Sequence, residues 1–407
     1  MAIKKWGNIL LISAVFLLVL VLAPAACTAA PAGAAVQAGN PIPGQDLVGW
    51  QSEDIDGTAG YGPYFSLAVD TNGKPHITAT QSRSEFSKSL VYFTRDLGGW
   101  NKEVVDDKSV VLNNPQVTVD LFGQPHIVYA YLIDGFSANY ALKYAHKDRF
   151  GWHIENLTDT LGQTFGSASI AVNSRGSPRI AYIGYPGAGL MYASKDGTGW
   201  YTEVIDPEPS NWPVLRLDRN GEPRVLYTYF PSYFTREKRY ASRGRGTWAI
   251  EYLDQNHSGQ NYDLELDLLG APHIAFERYI PGGPPDEVVY MTRDRAGWHE
   301  ETVAQGQLDD YAEVEMSTLN DVGVSYAETD ENEDVTSILY AVKKGTGWSP
   351  ETVATTDDSV YLQPGNGMAA GPGGTVTLTG SYLSASESGY LETPFLATRT
   401  IRIPGFG

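Results

Sequence analysis

The sequence is short of three things: cysteine, positive charge and helical periodicity. Its one cysteine, Cys27, stands near the N-terminus. The chain beyond it therefore has no disulfide framework and no thiolate metal site, and its stability must come from packing. Against 48 acidic residues stand 29 lysines and arginines, a formal charge of −19 over 407 residues. Lys4 and Lys5 are the only charges before Cys27, so the remainder is more negative still. Such a field repels nucleic acid and anionic lipid. What the chain has in quantity is glycine, tyrosine and valine, the composition of turns and strands.

Lys4 and Lys5 precede an apolar run from Ile9 to Ala23 that ends in small residues, the layout of a secretory signal peptide. Residues 1–26 read as a signal, 27–45 as an uncharged flexible tether, 46–403 as the folded domain and 404–407 as a tail. Ala25-Ala26-Cys27 resembles the lipobox at which bacterial lipoproteins are cut and acylated, with Pro24 where that family has a leucine-like residue. The resemblance implies lipidation of Cys27. Plain cleavage after Ala25 and an uncleaved anchor are the alternatives. All three place the domain outside the cytoplasm, in the envelope or at the cell surface, and the lipid anchor is the expected membrane contact.

The domain repeats. Tryptophans recur at Trp50, Trp100, Trp152, Trp200, Trp248, Trp298 and Trp348, each followed three residues later by a glutamate, from Glu53 and Glu103 through to Glu351. Before six of them lie Tyr92, Tyr144, Tyr192, Tyr240, Tyr290 and Tyr340, each followed three residues on by lysine or arginine. The constant spacing predicts a hairpin with base opposite tryptophan and tyrosine opposite glutamate, giving cation–π contact and tyrosine–glutamate pairing in every repeat. Upstream, segments such as SLAVDTNGKPHITAT predict a second hairpin, in which an aspartate (Asp70, Asp120, Asp218, Asp267; Asn173 in the third unit) holds the turn backbone and a glycine takes positive φ. Four strands in about 50 residues is the size of a propeller blade. Seven units are expected, and the last lacks its fourth strand. The segment around Trp50 supplies it, so the domain reads as an all-β, seven-bladed propeller closed by its N-terminal strand.

The hairpins TRDLGGW, HKDRFGW, SKDGTGW and TRDRAGW resemble the Asp-box of sialidase-type propellers, although SRGRGTW and VKKGTGW lack the aspartate. That resemblance implies a propeller fold shared by enzymes, lectins and scaffolds. The sialidase chemistry it brings to mind needs an arginine triad, and Arg83, Arg216 and Arg278 are scattered candidates whose spacing carries nothing over.

A site should lie where the repeat is broken. Positions one and three before the turn aspartate are apolar and should pack between units. Positions two, four and six before it should face the central channel. That face is neutral in early units, where Tyr64 and Asn114 stand at the mouth. It then carries Trp212 and Arg216 in the fourth unit, Asn261, Asp263 and Glu265 in the fifth, and Tyr311, Glu313 and Glu315 in the sixth. A wet channel tolerates any polar lining. The alternative is a ligand mouth, with Trp212 and Tyr311 as stacking platforms and Asp263 and Glu313 as acceptors for sugar hydroxyls or a cation. A glycan or an envelope protein is the expected partner, with the protein a monomer. A glycoside-acting enzyme using paired carboxylates is the runner-up. A pure scaffold, using the loops Tyr229–Tyr233 and Tyr279–Pro285, is the third reading. His76, His126 and His273 at one repeat position read as scaffold groups rather than metal ligands. No cofactor is expected. The loop Glu328–Val335 reads as a solvated acidic loop, with calcium the weaker alternative.

Overall fold

The computed structural model describes residues 50–400, apart from the short segments 57–60, 85–86, 109–110, 134–139, 188, 233–234, 256–257, 280–284, 318–320, 330–334, 356–359 and 387–388. Cys27 and the tether lie outside the described residues, as does the centre of the acidic loop after Glu328 and part of each proposed contact loop.

The described residues form an all-β propeller arrangement of antiparallel four-stranded meanders, with one helical turn at Thr158–Leu161. The innermost strands are Tyr61–Val69, Val111–Val119, Thr164–Val172, Ser210–Leu217, Ser258–Leu266, Leu308–Met316 and Val360–Gly371. Seven separate sheets were the expectation; hydrogen bonding gives five continuous ones, two eight-stranded and three four-stranded. Each large sheet consists of two meanders joined by a single bridged pair, Ser66 with Asn366 in one and Thr164 with Tyr140 in the other. Neighbouring meanders converge towards the axis, and at these two joints backbones come close enough to bond.

The last meander is completed by the N-terminal strand Gln51–Asp54, which runs antiparallel to Gly389–Thr400 with Gln51 opposite Thr398. The turns hold as their residue types require. Asp70 Oδ1 accepts from the amides of Asn72 and Lys74 at 2.8 and 2.9 Å, and Asp120, Asn173, Asp218 and Asp267 make the same pair of bonds. Gly73 takes φ 82°, where a side chain would be strained. In four of the outer hairpins the turn aspartate accepts from the amide two residues on at 2.7 Å.

The repeated quartet has the expected register, for example Lys147 opposite Trp152 and Tyr144 opposite Glu155, but its main bonds run between units. Tyr92 meets Trp152 of the next unit edge-on at 5.1 Å, and six such pairs lie at 5.1–5.6 Å. Glu103 accepts from Lys147 and, at 3.0 Å, from Trp152 Nε1. The same carboxylate-to-base step joins Glu53 to Arg95, Glu155 to Lys195, Glu203 to Arg243, Glu251 to Arg293, Glu301 to Lys343 and Glu351 to Arg399. Tyrosine stands opposite glutamate within each unit as expected, and the glutamate adds a clasp between units, because the twist of each meander turns its outer strands towards its neighbour. Cation–π contact within a unit is present as well, as for Lys195 over Trp200 at 5.7 Å. Glu103→Ala should therefore lower stability by about 1–3 kcal/mol, since it strands Lys147 and the Trp152 indole together. Chemical denaturation checks this, and an unchanged midpoint would show that the clasp contributes nothing.

Candidate functional site

The channel-facing positions converge on a cavity of about 430 Å3 lined by Ser66, Gln116, Ser169, Trp212, Arg216, Asp263, Glu265, Glu313 and Glu315, among others. The period-2 reading of the inner strands therefore holds for the two positions nearest each turn. Physically, these strands barely pair with one another, so their inner amides need other acceptors. Side chains supply them. Ser66 Oγ accepts from Val117 N at 3.1 Å and Ser169 Oγ from Leu215 N at 3.0 Å. Asp263, Glu313 and Glu315 likewise accept from the amides of Val314, Gly367 and Ala370. A serine is enough for this task in the first and third units, so the carboxylates in the fifth and sixth bring charge beyond what the scaffold uses.

Arg216 answers part of that charge. Its Nε donates to Glu265 Oε1 at 2.6 Å and its Nη2 to Asp263 Oδ1 at 3.0 Å. The arginine is reached from the cavity but enclosed by the ring, and its neighbouring carboxylates hold its proton more tightly than usual despite burial. Burial pushes Asp263 up to about 6, with Arg216 opposing the rise and Glu265 adding to it. Glu313 is held well above the usual carboxylate range by burial and by Asp263, and Glu315 by burial and by Glu265 and Asp263. Burial thus favours the protonated, donating form of Glu313 and Glu315, while the carboxyls paired with Arg216 accept, so the cavity offers both kinds of partner.

Two aromatic residues were expected at the mouth, and only one is there. Tyr311 is 3% exposed, with its hydroxyl 3.2 Å from Glu313 Oε2 and from Ser325 Oγ. It belongs to the core and orients Glu313, so it cannot stack on a ligand. The cause is a break in register between Leu308 and Ala312, which turns the residue preceding it off the alternating pattern. Every inner strand carries such a break near the same place. Trp212 sits inside the one between Asn211 and Val214 with φ 49°, and Arg245 in a hairpin turn is the other described non-glycine residue with positive φ. The strained backbone is held by Asn211 Oδ1, which accepts from Trp212 N at 2.9 Å, and by Tyr262, whose hydroxyl donates to Trp212 O at 2.6 Å. The indole lines the cavity and meets Phe230 edge-on at 5.6 Å. Nothing in the sequence signals this conformation. The side chains of Tyr64, Asn114 and Asn261 lie outside the described residues.

The histidines have scaffold partners. His76, His126 and His273 each share a 2.5–2.6 Å hydrogen bond with the tyrosine of the quartet and stand 3.7–4.0 Å from a turn aspartate. Burial lowers His76 and His126 to about 4. Among the described residues no group of three or more His, Cys, Asp or Glu side chains is arranged to hold a metal ion.

No protein-family profile matches the chain, and no curated protein matches it in sequence. Solved structures do match in fold. An ulvan lyase of polysaccharide lyase family PL25, solved bound to -[GlcA(1-4)Rha3S]-, superposes with a TM-score of 0.58 at 12% identity, covering 84% of this chain and 95% of its own. The polysaccharide lyase Uly1 gives 0.53 at 10% identity over 89% and 94% of the two chains. The BP39L lectin from Burkholderia pseudomallei gives 0.52 at 11% identity over 82% and 95%. At these identities what is shared is the architecture: this chain is built as a β-propeller.

Proposed function

We propose that the protein is an extracytoplasmic, membrane-tethered propeller that binds a glycan at the channel mouth, and that its five sheets make a ring of seven blades. Seven clasps in series support the blade count, each fused sheet contributing two meanders. The leader and Cys27 support export and lipid tethering. One observation carries the binding reading: Trp212 is forced into a left-handed backbone conformation that places an indole on a cavity rich in hydrogen-bonding carboxyls. Strain of this kind costs about 1–3 kcal/mol and is kept where a side chain must be presented. An indole face beside fixed donors and acceptors suits a sugar ring. The cavity charge selects among sugars. Inside the cavity Arg216 is already paired with Asp263 and Glu265, so the carboxyls there favour a neutral or amino-bearing sugar, although Arg236 stands 5.9 Å from the Trp212 ring. A glycoside-acting enzyme is the second reading, favoured by Glu313 and Glu315, whose burial favours the proton-donating form that a general acid needs.

The structure also selects the variants. Asp263→Ala would strand Arg216, whereas Asp263→Asn keeps an acceptor. Trp212→Gly removes the indole and relieves the backbone. Against a glycan found by array screening, Trp212→Gly and Asp263→Asn should each weaken binding by roughly 1–3 kcal/mol by calorimetry, while Trp212→Gly melts no lower than the parent. Normal binding by both variants would place the site elsewhere. Turnover of the glycan, lost in Glu313→Gln with binding intact, would favour the enzyme.

A further inference from the structure

We propose that the face formed by the turns after the first and third strands of each meander is a bilayer-docking face, so that the domain lies on the membrane with its channel mouth pointing away. The inference adds a contact to the lipid tether and rests on that reading for its anchor.

All the turns after the first strands lie on one face. The turn glycine of one meander packs beside the turn aspartate of the preceding one, with a Cβ on Gly123 falling 3.0 Å from Asp70 and one on Gly176 falling 3.3 Å from Asp120. In a four-strand meander the turn after the third strand lies at that same end. On this face the repeat is broken by apolar residues where other units have Thr71-Asn72, Ser174-Arg175 or Arg219-Asn220. Leu121 and Phe122 project in the second unit and Leu268 and Leu269 in the fifth; Leu97 and Phe150 project from outer hairpins. Phe122, Phe150 and Leu269 are 80%, 76% and 91% exposed, and the exposed Arg149 lies over the Phe150 ring at 4.6 Å. Leucine and phenylalanine tips spread over separate blades suit shallow insertion into an interface rather than one compact protein footprint.

Charge points the same way. Although the chain is strongly acidic overall, the tips of this face carry exposed Arg149, Arg175, Arg219, Arg245 and Arg295. Between the third and fourth units the face opens into a groove of about 610 Å3 that includes Arg175 and Arg219. The opposite connections carry Asp107, Asp159, Glu208, Asp286 and Glu328. Exposed Asp96, Asp196 and Asp294 offset part of the charge of the first face, and Arg83 and Lys108 part of that of the second, but arginine predominates at the tips of the first, which an anionic bilayer attracts.

The chain's entry point agrees. Gln51 pairs with Thr398, and Thr400 pairs with Thr375 beside the turn at Pro372–Gly374, whose Pro372 lies against Gly73. The N-terminal strand therefore starts at the turn face, the end at which the chain enters the described residues.

The domain's freedom from cysteine makes the test direct. In the full acylated chain, where Cys27 is blocked, Asn72→Cys on the turn face and Glu208→Cys on the opposite face are each labelled with an environment-sensitive dye. Both positions are exposed, so folding is spared. With phosphatidylglycerol-containing vesicles, the dye at position 72 should brighten about twofold and shift to the blue, as expected for a probe within roughly 5–10 Å of the acyl boundary; the dye at 208 should not respond. Phe122→Ser with Phe150→Ser should abolish the change at 72. If the chain sediments with vesicles while both dyes are silent, the docking face is overturned and the anchor stands. A response at 208, or one at 72 that survives loss of both phenylalanines, also overturns it. Failure to sediment, with both dyes silent, sinks anchor and face together.

Discussion

Deleting residues 46–57 should make the protein aggregate and lower its melting temperature sharply. The strand Gln51–Asp54 covers the outer edge of Gly389–Thr400, and its loss leaves that strand's amides and carbonyls unpaired. The damage extends further, because this short segment closes two clasps. Trp50 is 5% exposed, stands edge-on to Tyr340 at 5.5 Å and donates to Glu351 at 3.0 Å; Glu53 holds Arg95 at 3.0 Å. Without it, neither neighbour of the last meander is joined to it by a complete clasp. Trp50→Ala alone should cost roughly 3–5 kcal/mol, as large-to-small changes at buried aromatic sites do. Size-exclusion chromatography and a thermal melt decide the matter. A deletion variant that elutes and melts like the parent would remove the N-terminal strand from the ring.

Arg216→Gln should destabilise the protein in a pH-dependent way, strongly at pH 8 and little at pH 5. Removing one partner of a buried charge cluster typically costs about 3–5 kcal/mol, because the remaining charges stay buried without compensation; here some water reaches the cavity, so the lower end is expected. Protonation relieves the defect, which is why acid should rescue it. The sign for the parent follows from the same groups. Asp263, Glu313 and Glu315 have raised values in the fold, so the folded state binds more protons and the stability they contribute at low pH is lost as pH rises through those values. His76 and His126, lowered to about 4, act oppositely: their contribution is present above about 6.5 and is lost as pH falls towards 4. In the parent the carboxyls and the histidines thus act in opposite directions as pH rises, and the Arg216→Gln curve should fall away from the parent's between pH 5 and pH 8. Equal losses at pH 5 and pH 8 would show that Arg216 does not compensate the cluster.

Much of the architecture was legible because the repeat is written in spacings. Three residues from tryptophan to glutamate and four between base and tryptophan leave only one hairpin register, and the structure has it. The clasp partners were not legible, since spacing describes neighbours along a strand and says nothing of how far a twisted meander leans towards the next. Sheet continuity was hidden for a similar reason: one bridged pair depends on how closely an inner strand approaches the neighbouring meander, its inner strand at Ser66 and its third strand at Thr164. In the channel, alternation placed Asp263, Glu265, Glu313 and Glu315 correctly because they lie between the register break and the turn. It failed at Tyr311, inside the break, where a period of two no longer applies. The left-handed Trp212 falls in the same blind spot, since its conformation is set by Tyr262 of the next unit.

The register break in every inner strand divides each of those strands into two parts whose phases along the ladder are independent. Below the break, a one-residue change would reverse every side chain after it and ruin the packing between units. Above it, residues can be exchanged, inserted or lost while the ladder keeps its phase. The ring thus separates inheritance from novelty along a single strand: below the break the phase and the packed positions must be kept in each unit, while the channel-facing positions, as at Arg216 and Asp263, and the rim, as at Trp212, are free to differ.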